Sequence, residues 1–373
     1  GGGGSPSWGM DVLEKHCAVE SRREQRSTVV CGGGIETHLI YRRGIPLRQF
    51  AAWDAVFTPE GRAALREWSK LMIEAGSGAE AQLLHAPLWR ASSAWTAPVL
   101  FEGNEESPET VCRRLQAALE DLTSRPVDGG ALEGITAAAA ADWASAEISR
   151  SLLHVAREAW NESQHSCTSE RTVLIVAECG PLDDGYSTAD PLPAPHAAEL
   201  HSPQLLAVKG HCDVAVAYTI PSVAELIGWA TAAAAADIPY LLSPTIEPDG
   251  RLPDGTYIGD AVAETLSHLR EAGMAPPLGF LVNCMHPSHL LPHLERDNGK
   301  EWVQWLCGAR VNASALTHAE LDALDSLEDG DASSLAASVR QLHRLELRLL
   351  GGCCGTDERH ISAIVSAVNE ATH

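Results

Sequence analysis

Positive charge is scarce in this chain of 373 residues, which has 27 Lys and Arg against 50 Asp and Glu and a formal net charge of −23. Such a surface repels the phosphates of nucleic acids and the headgroups of anionic lipids. We therefore expect neither nucleic acid nor membrane as a partner and interpret the acidity as a source of solubility. No oligomeric state is predicted.

Long hydrophobic runs are also missing. No stretch approaches the roughly 18 consecutive apolar residues that a membrane-spanning helix needs. The N-terminal segment lacks the basic stretch and apolar run of a secretory signal, so we predict a flexible tail over residues 1–26 and a barrel domain over 27–373. The ten cysteines are not expected to form disulfides, because disulfide frameworks belong to small secreted domains. A reducing, cytoplasmic compartment is therefore predicted.

Short, almost continuously apolar segments recur along the chain and lack a clean period of two. Parallel strands that are buried on both faces have this pattern. Eight such segments are present, at 28–33, 79–85, 172–178, 212–219, 239–245, 277–284, 305–314 and 347–353.

Segments with helical spacing of apolar residues separate these strands, as at 59–75, 222–236, 260–272 and 335–345. Alternation of eight strands with helices predicts the α/β class, as a single (β/α)8 TIM barrel with insertions. An open doubly wound sheet is the rival, but GGGIET after the first strand is a poor match to a phosphate-binding loop. We expect extra helical packing over 101–144 and a long loop that shapes the active site over 182–204.

The segment GGCCGTDERH places two adjacent cysteines, Cys353 and Cys354, at the end of the last strand. Neighbouring side chains of a strand point to opposite faces, so both thiols can meet one metal only where the backbone turns. The glycines around them permit that turn. Cys284 ends another strand, and the carboxyl ends of barrel strands converge on one site. Three cysteines with an open fourth position predict a catalytic Zn²⁺ site.

Six segments carry a resemblance to a known family. They are GGGIETHLI (32–40), WRAS (89–92), DGRLPDG (249–255), NCMHPSH (283–289), RVNASALTHAELD (310–322) and GGCCGTDERHI (351–361). Together they make the chain resemble the homocysteine S-methyltransferase family, the zinc barrels related to betaine– and S-methylmethionine–homocysteine methyltransferases. The resemblance implies that only cysteines bind the metal, and we therefore predict loop or supporting roles for His286 and His289.

The resemblance also implies the chemistry. A small-molecule thiol acceptor, homocysteine or a related thiol, would be deprotonated at zinc and take a methyl group from a sulfonium or quaternary ammonium donor. The implied process is methionine biosynthesis. No catalytic side chain is predicted beyond the zinc-activated thiol. The alternative is a non-catalytic or divergent zinc barrel of the same family that acts on another acceptor.

Several polar and aromatic residues near strand ends are predicted to bind substrate. Gly32 and Gly33 would let a ligand approach the backbone closely, and the residues that follow them would line the site. An aromatic ring at the barrel mouth would hold a cationic methyl donor. The predicted set is Gly32, Gly33, Glu36, Thr37, Trp89, Glu178, Tyr218, Asn283 and Asn312.

The chain departs from the family pattern where an acceptor's amino group would bind. The family commonly has Asp before the first Gly-Gly and Glu at the end of strand four, and this chain has Cys31 and Tyr218 there. We therefore hypothesise that Glu178 holds homocysteine in an altered way, or that the acceptor lacks an ammonium group. A further interpretation is that Cys31 approaches the metal and closes the site.

Overall fold

Eight parallel strands close into one barrel in the order in which they occur along the chain. The computed structural model describes residues 7–25, 27–130, 132–164, 171–188, 191–324 and 326–370. The strands are β1 (Val29–Cys31), β2 (Ala81–Ala86), β3 (Thr172–Cys179), β4 (Val214–Ile220), β5 (Tyr240–Pro244), β6 (Phe280–Met285), β7 (Leu306–Val311) and β8 (Leu349–Gly352). The predicted TIM barrel is confirmed, with a strand at each of the eight predicted segments.

Helices surround the barrel and connect its strands. The first group is α1 (Ser7–Cys17), α2 (Val19–Glu24), α3 (Ile35–Thr37), α4 (Pro59–Ala75), α5 (Ser93–Leu100), α6 (Pro108–Thr123), α7 (Ala137–Gln164) and α8 (Ala194–Val208). The second group is α9 (Val223–Ala235), α10 (Ile258–Glu271), α11 (Pro287–Arg296), α12 (Glu301–Trp305), α13 (His318–Asp322), α14 (Ala332–Arg344) and α15 (Glu358–Glu370). In the described part of the chain, no helix is long and apolar enough to cross a membrane.

Local sequence explains where the predicted helices begin. The Thr58 side chain accepts a hydrogen bond from the Gly61 amide at the start of α4. The Ser222 side chain caps α9 in the same way by accepting from the Glu225 amide. Each cap satisfies an amide that has no partner within its helix, which sets the helix boundary next to an apolar run.

The two predicted insertions have different outcomes. Helix α6 and the start of α7 occupy the 101–144 region, which confirms extra helical packing outside the barrel. The prediction of a loop over 182–204 is wrong for its second half, where α8 begins at Ala194. Proline is tolerated in the first turn of a helix, so Pro195 does not prevent α8 from forming. Ala197 and Leu205 of α8 are buried against the barrel's outer layer.

The N-terminal end of the barrel is closed by α1 and α2. Leu13 and Cys17 of α1 pack into the apolar cluster that fills the bottom of the barrel. The Arg22 guanidinium of α2 donates to the carbonyl of Leu306, the first residue of β7, at 2.7 Å. It also donates to the carbonyl of Gln304, just before β7, at 3.0 Å. The flexible tail predicted over 1–26 is therefore wrong for residues 7–24, because these contacts fix them to the barrel. Residues 1–6 and 26 lie outside the described part of the chain.

Candidate metal and substrate site

Three cysteines meet at the C-terminal end of the barrel. Cys284 belongs to β6, and Cys353 and Cys354 follow β8. The three sulfur atoms lie within 4.8 Å of one another, and the Cys284 and Cys353 sulfurs are 2.8 Å apart. Zinc–sulfur bonds of about 2.3 Å place tetrahedral sulfur ligands roughly 3.8 Å apart. The cluster is compact enough for one ion to contact all three sulfurs, and the Cys284 and Cys353 sulfurs would separate by about 1 Å to hold it.

Unusual backbone geometry brings these thiols together. Cys284 has φ of 55°, a left-handed conformation that is uncommon for residues other than glycine. The register between β6 and β7 shifts at this point, between Asn283 and Met285. After β8 the chain turns at Gly355, which has φ of 78°. The predicted turn at the cysteine pair is confirmed, and the kink at Cys284 adds a second turn, the kind of strain that occurs at functional sites.

The pKa values of the three thiols are shifted in different directions. Hydrogen bonds from Cys353 and Cys354 lower the pKa of the Cys284 thiol well below its usual range. The same contact with Cys284 raises the pKa of Cys353 to about 12 and raises that of Cys354 as well. One thiolate therefore forms easily and the others only with a compensating cation. A divalent metal supplies that charge, so the donor set fits zinc chemically.

Asn283 fastens the end of β6 to the end of β4. Its amide nitrogen donates to the Cys284 sulfur at 3.2 Å and to the Thr219 hydroxyl at 2.7 Å. Its amide oxygen accepts from the Thr219 backbone at 2.8 Å and from the Ser243 hydroxyl at 2.8 Å. Thr219 also has a positive φ, of 60°. Asn283 thus positions a metal-site thiol.

Two residues that were not predicted complete the surroundings of Cys284. The Tyr186 hydroxyl donates to the Cys284 sulfur at 3.3 Å, and the Tyr186 ring lies 4.3 Å from the His318 ring. His318 contacts the Cys284 carbonyl and the Glu247 carboxylate through its two ring nitrogens. Burial lowers the pKa of His318, but the Glu247 carboxylate outweighs it and raises the pKa overall.

A cavity of about 390 Å³ opens beside the cysteines. It brings together the three cysteines and most of the predicted substrate residues, namely Glu36, Thr37, Trp89, Glu178, Tyr218, Asn283 and Asn312. Further lining residues that were not predicted include Tyr41, Phe50, Arg90, Asp184, Tyr186, Thr219, Ser314 and His318. The long loop after β3 supplies Tyr186 and Asp184, so the expectation that this loop shapes the site is met by residues before α8.

Gly32 and Gly33 do not belong to the cavity lining. Their backbone instead supports it, because the Gly33 carbonyl accepts from Arg310 and the Gly32 carbonyl accepts from the Gly352 amide. A side chain at the next residue, Gly34, would place its Cβ only 2.4 Å from the Cys353 carbonyl oxygen. The glycine run therefore permits close packing of the segment after β1 against the cysteine turn.

A buried ion pair between Arg310 and Glu178 adjoins the cavity, which Glu178 lines. The Arg310 guanidinium pairs with Glu178 and also donates to the carbonyls of Gly33 and Gly352, each at 3.0 Å. It lies 4.6 Å from the centre of the Tyr218 ring, whose hydroxyl is 2.8 Å from His85 Nε2. Glu178 lines the cavity as predicted, but its carboxylate already has a protein cation as partner. This arrangement argues against Glu178 as the binding group for an acceptor's ammonium.

Among the described residues, no cation forms an ion pair with the carboxyl of Glu36. Burial and the neighbouring Glu178 carboxylate together raise the pKa of Glu36 to about 8, although a hydrogen bond from its own backbone amide and the charge of Arg310 oppose the rise. The Arg310 guanidinium donates to Glu178 and to the backbone carbonyls of Gly33 and Gly352, so its hydrogen bonds are directed away from Glu36. A cation that entered the cavity would therefore favour the ionised form of Glu36.

Trp89 lines the cavity, but a cation already occupies a face of its ring. The Arg90 guanidinium lies between two indole rings, 4.4 Å from the centre of Trp89 and 4.2 Å from that of Trp95. Cation–π attraction in a half-buried setting holds Arg90 there. The exposed aromatic rims of Tyr41 and Phe50 lie on the same cavity and offer further ring surface.

Other predicted features near the site have structural roles. Cys31 packs in the apolar interior of the barrel and is not among the cysteines that cluster, so the interpretation that it closes the metal site is wrong. His286 caps α11 by accepting from the Ser288 amide, and His289 contacts the Ala315 carbonyl. The predicted supporting roles of these histidines are consistent with those contacts.

A larger groove of about 540 Å³ lies on the outer surface between α4, α6 and α7. Its charged side chains are mixed in sign and include Arg66, Lys70, Arg125 and Glu158. Lys70 is paired with Glu162 at 2.8 Å. No cysteine lines this groove. The clustered thiols line the smaller cavity instead.

Comparison with known proteins bears on the cysteine site directly. A model of the homocysteine S-methyltransferase family matches residues 132–368, a segment that contains all three clustered cysteines. The chain belongs to this family. Membership makes the protein a methyltransferase, and the family resemblance predicted from the six sequence segments is confirmed.

Solved structures agree with the family's fold. The homocysteine methyltransferase MmuM from Escherichia coli in its metallated form has a TM-score of 0.61 and 19% identity, covering 93% of this chain and 99% of that chain. Its oxidized form gives a TM-score of 0.61 with 18% identity, covering 92% and 97%. At such identities the likeness shows the fold alone. A search of curated proteins found no match.

Proposed function

We propose that the protein is a zinc-dependent S-methyltransferase that moves a methyl group from a sulfonium or quaternary ammonium donor to homocysteine or a related small thiol. The observation that carries the proposal is the cluster of Cys284, Cys353 and Cys354, with sulfurs within 4.8 Å, at the wall of a closed-barrel cavity. All-cysteine ligation with one open side suits thiol chemistry, whereas a zinc hydrolase would be expected to use His or carboxylate ligands.

These three cysteines would hold the metal. Bound there, zinc would lower the pKa of an acceptor thiol and so supply a thiolate at neutral pH. Hydrogen bonds from Tyr186 and Asn283 to the Cys284 sulfur keep that ligand oriented. Outer contacts of this kind fix ligand geometry and tune metal affinity.

The transfer itself is a substitution at the methyl carbon. A carbon–sulfur or carbon–nitrogen bond of the donor breaks with its electron pair leaving on sulfur or nitrogen, a bond from the acceptor sulfur to the methyl carbon forms, and the acceptor's thiol proton is released to solvent. The donor leaves as a neutral sulfide or amine, so no strong acid is required. The chain's contribution is to align the two substrates in the cavity beside the cysteines and to limit the access of water there.

The donor would meet an aromatic surface. Tyr41 and Phe50 line the cavity beside Trp89, whose ring is already covered by Arg90, and free ring faces attract cationic methyl groups. If homocysteine is the acceptor, the product is methionine, which places the protein in methionine biosynthesis. We also propose a reducing, cytoplasmic location, supported by nine free cysteines among the described residues. Cys167, the tenth, lies outside them.

A donor screen tests this function. The zinc-loaded protein is incubated with homocysteine and, in turn, S-methylmethionine, S-adenosylmethionine, a betaine or a dimethylsulfonium compound, and the methylated thiol is read by mass spectrometry. We expect transfer from at least one donor and loss of transfer in Cys354→Ala. Zinc binding with no transfer to any thiol would contradict the proposal and favour the alternative, a non-catalytic zinc barrel.

A further inference from the structure

Two hydrogen-bond acceptors in the cavity receive no donor from any other described residue. One is the Glu36 carboxyl, in the short helix α3 that follows β1, which is contacted only by its own backbone amide. The nearby cation Arg310 pairs with Glu178 and donates hydrogen bonds to backbone carbonyls. The other is Oδ1 of Asn312, directly after β7, which is buried without any partner among the described residues.

The isolation of Asn312 is informative because the residue is only 2% exposed. A buried amide oxygen without a donor costs free energy, and native proteins rarely leave one unpaired unless a ligand or water occupies the site. Asn312 and Glu36 line the same cavity, from the ends of β7 and β1 on either side of the cysteine turn after β8. Two unsatisfied acceptors, one of them acidic, indicate a ligand group that is cationic and donates hydrogen bonds.

A primary ammonium has both properties, since it carries a positive charge and several N–H donors. The onium centre of a methyl donor does not, because a sulfonium or quaternary ammonium has no N–H. The site also adjoins the thiols, and the electrostatic influence of Cys353 reaches the Glu36 carboxyl. An acceptor whose sulfur lies at the cysteines could therefore extend its amino group toward Glu36.

We propose that Glu36 and Asn312 form the binding subsite for the α-ammonium of an amino-acid acceptor, which makes them the specificity-determining residues of this cavity. This inference rests on the proposed function, because it takes the acceptor's sulfur to lie at Cys284, Cys353 and Cys354. The subsite compensates for the two positions where the chain has Cys31 and Tyr218 in place of the family's acidic residues. It also assigns Glu178 to Arg310 and not to the substrate.

Binding of a product pair tests the subsite without requiring turnover. L-methionine and 4-(methylthio)butanoate differ only in the amino group, and their affinities for the zinc-loaded protein are measured by calorimetry. We expect the wild type to prefer methionine by about ten- to a hundredfold, the range for one charge-assisted hydrogen bond in a buried site. Glu36→Gln should abolish most of this preference, and Asn312→Ala should reduce it.

Matched variants separate the subsite from general effects. Glu328→Gln removes an equal charge from an exposed side chain on the cavity rim and should leave the preference unchanged. Glu36→Asp keeps the charge and should retain part of the preference, which a merely structural role of Glu36 would not predict. Zinc content and melting temperature confirm that each variant is folded. A Glu36→Gln protein that is folded and still prefers methionine would overturn the proposal, as would a wild type with equal affinity for both ligands.

Failure of the proposed function gives a different result. If no donor methylates any thiol but methionine is still preferred through Glu36, the subsite stands and the catalytic proposal falls. If methyl transfer occurs equally well to homocysteine and to 4-mercaptobutanoate, which lacks the amino group, the catalytic proposal stands and the subsite is refuted. The two proposals can therefore be judged separately.

Discussion

The two ends of the barrel use their polar side chains in opposite ways. At the N-terminal end, the Arg22 and Arg348 guanidinium groups donate hydrogen bonds to backbone carbonyls, and Leu13 packs in the apolar cluster between the strands. At the C-terminal end, Glu36 pairs with no described cation, Asn312 Oδ1 accepts no hydrogen bond from a described residue, and Cys284 and Thr219 adopt left-handed backbone conformations. The N-terminal end has unpaired atoms of its own, such as Arg22 Nε, but they face packed protein, whereas the C-terminal end places strained backbone and unpaired acceptors beside a cavity and three thiols. This contrast separates stability from ligand binding within one barrel.

Removing a cysteine ligand should give the largest effect and would test the active end most directly. We expect about one zinc per chain in the wild type and loss of most of it in Cys284→Ala or Cys354→Ala. Activity should fall by more than about a hundredfold, since even outer contacts of a metal change affinity by 10–100-fold. Zinc content is measured by mass spectrometry of the metal. Cys212→Ala, which removes a thiol far from the cluster, is the control and should keep its zinc; full occupancy in either ligand variant would refute the assignment.

The buried ion pair of Arg310 and Glu178 is a structural contact beside the cavity, and breaking it should give the next largest effect, a loss of stability. Arg310→Met leaves the Glu178 carboxylate buried without its cation, which typically costs about 3–5 kcal/mol of unfolding free energy. Urea unfolding followed by circular dichroism measures the loss. Arg113→Met breaks an exposed pair with Glu109 on α6 and should leave the unfolding free energy nearly unchanged, because solvent screens such pairs. Equal losses of unfolding free energy in the two variants would mean that the buried Arg310–Glu178 pair stabilises the fold no more than an exposed pair does.

The N-terminal helices provide the opposite test, a change in stability that leaves the chemistry intact. Leu13 is fully buried, so Leu13→Ala should lower the unfolding free energy by about 2–5 kcal/mol. Zinc content and kinetic constants of the folded protein should be unchanged, because α1 lies at the far end of the barrel. Leu206→Ala, at a side chain that is 61% exposed, should have little effect on either quantity. A loss of zinc affinity in Leu13→Ala would show that the two ends are coupled.

The same contrast explains what could be predicted from sequence. Apolar runs identified all eight strands because strands buried on both faces need them, and GGCCG identified the cysteine turn because adjacent thiols require a bent backbone. Arg310 was missed because it lies inside an apolar strand segment, and its partner Glu178 is distant in the chain. The helices over 7–24 were missed because their anchoring contacts are tertiary, as the bonds from Arg22 to the start of β7 show.

Tyr186 and His318 were missed for a related reason. Each comes from a loop or a short helix whose position depends on the closed barrel, and no spacing pattern links them to Cys284. The one sequence signal was the long loop after β3, which predicted a contribution to the site without naming a residue. Such contacts depend on side-chain geometry that periodicity does not encode.

The smallest predicted effect concerns Tyr186, whose hydroxyl donates to the Cys284 sulfur at 3.3 Å. Tyr186→Phe keeps the ring that packs on His318 and removes only this hydrogen bond, so the fold should be unchanged. Zinc affinity, measured by competition with a chromophoric chelator, should fall by about tenfold, the lower end for outer contacts of a metal.

Tyr41→Phe is the matched control for that change. Tyr41 lies on the same cavity but is 47% exposed at its rim. Its hydroxyl makes no recorded contact with the clustered thiols in the described residues, so the control should keep the zinc affinity of the wild type. If the two variants lose affinity equally, the effect comes from the polarity of the cavity as a whole. If only Tyr186→Phe loses it, the hydrogen bond to Cys284 is the cause, and the polar contacts of the C-terminal end act on the metal site one at a time.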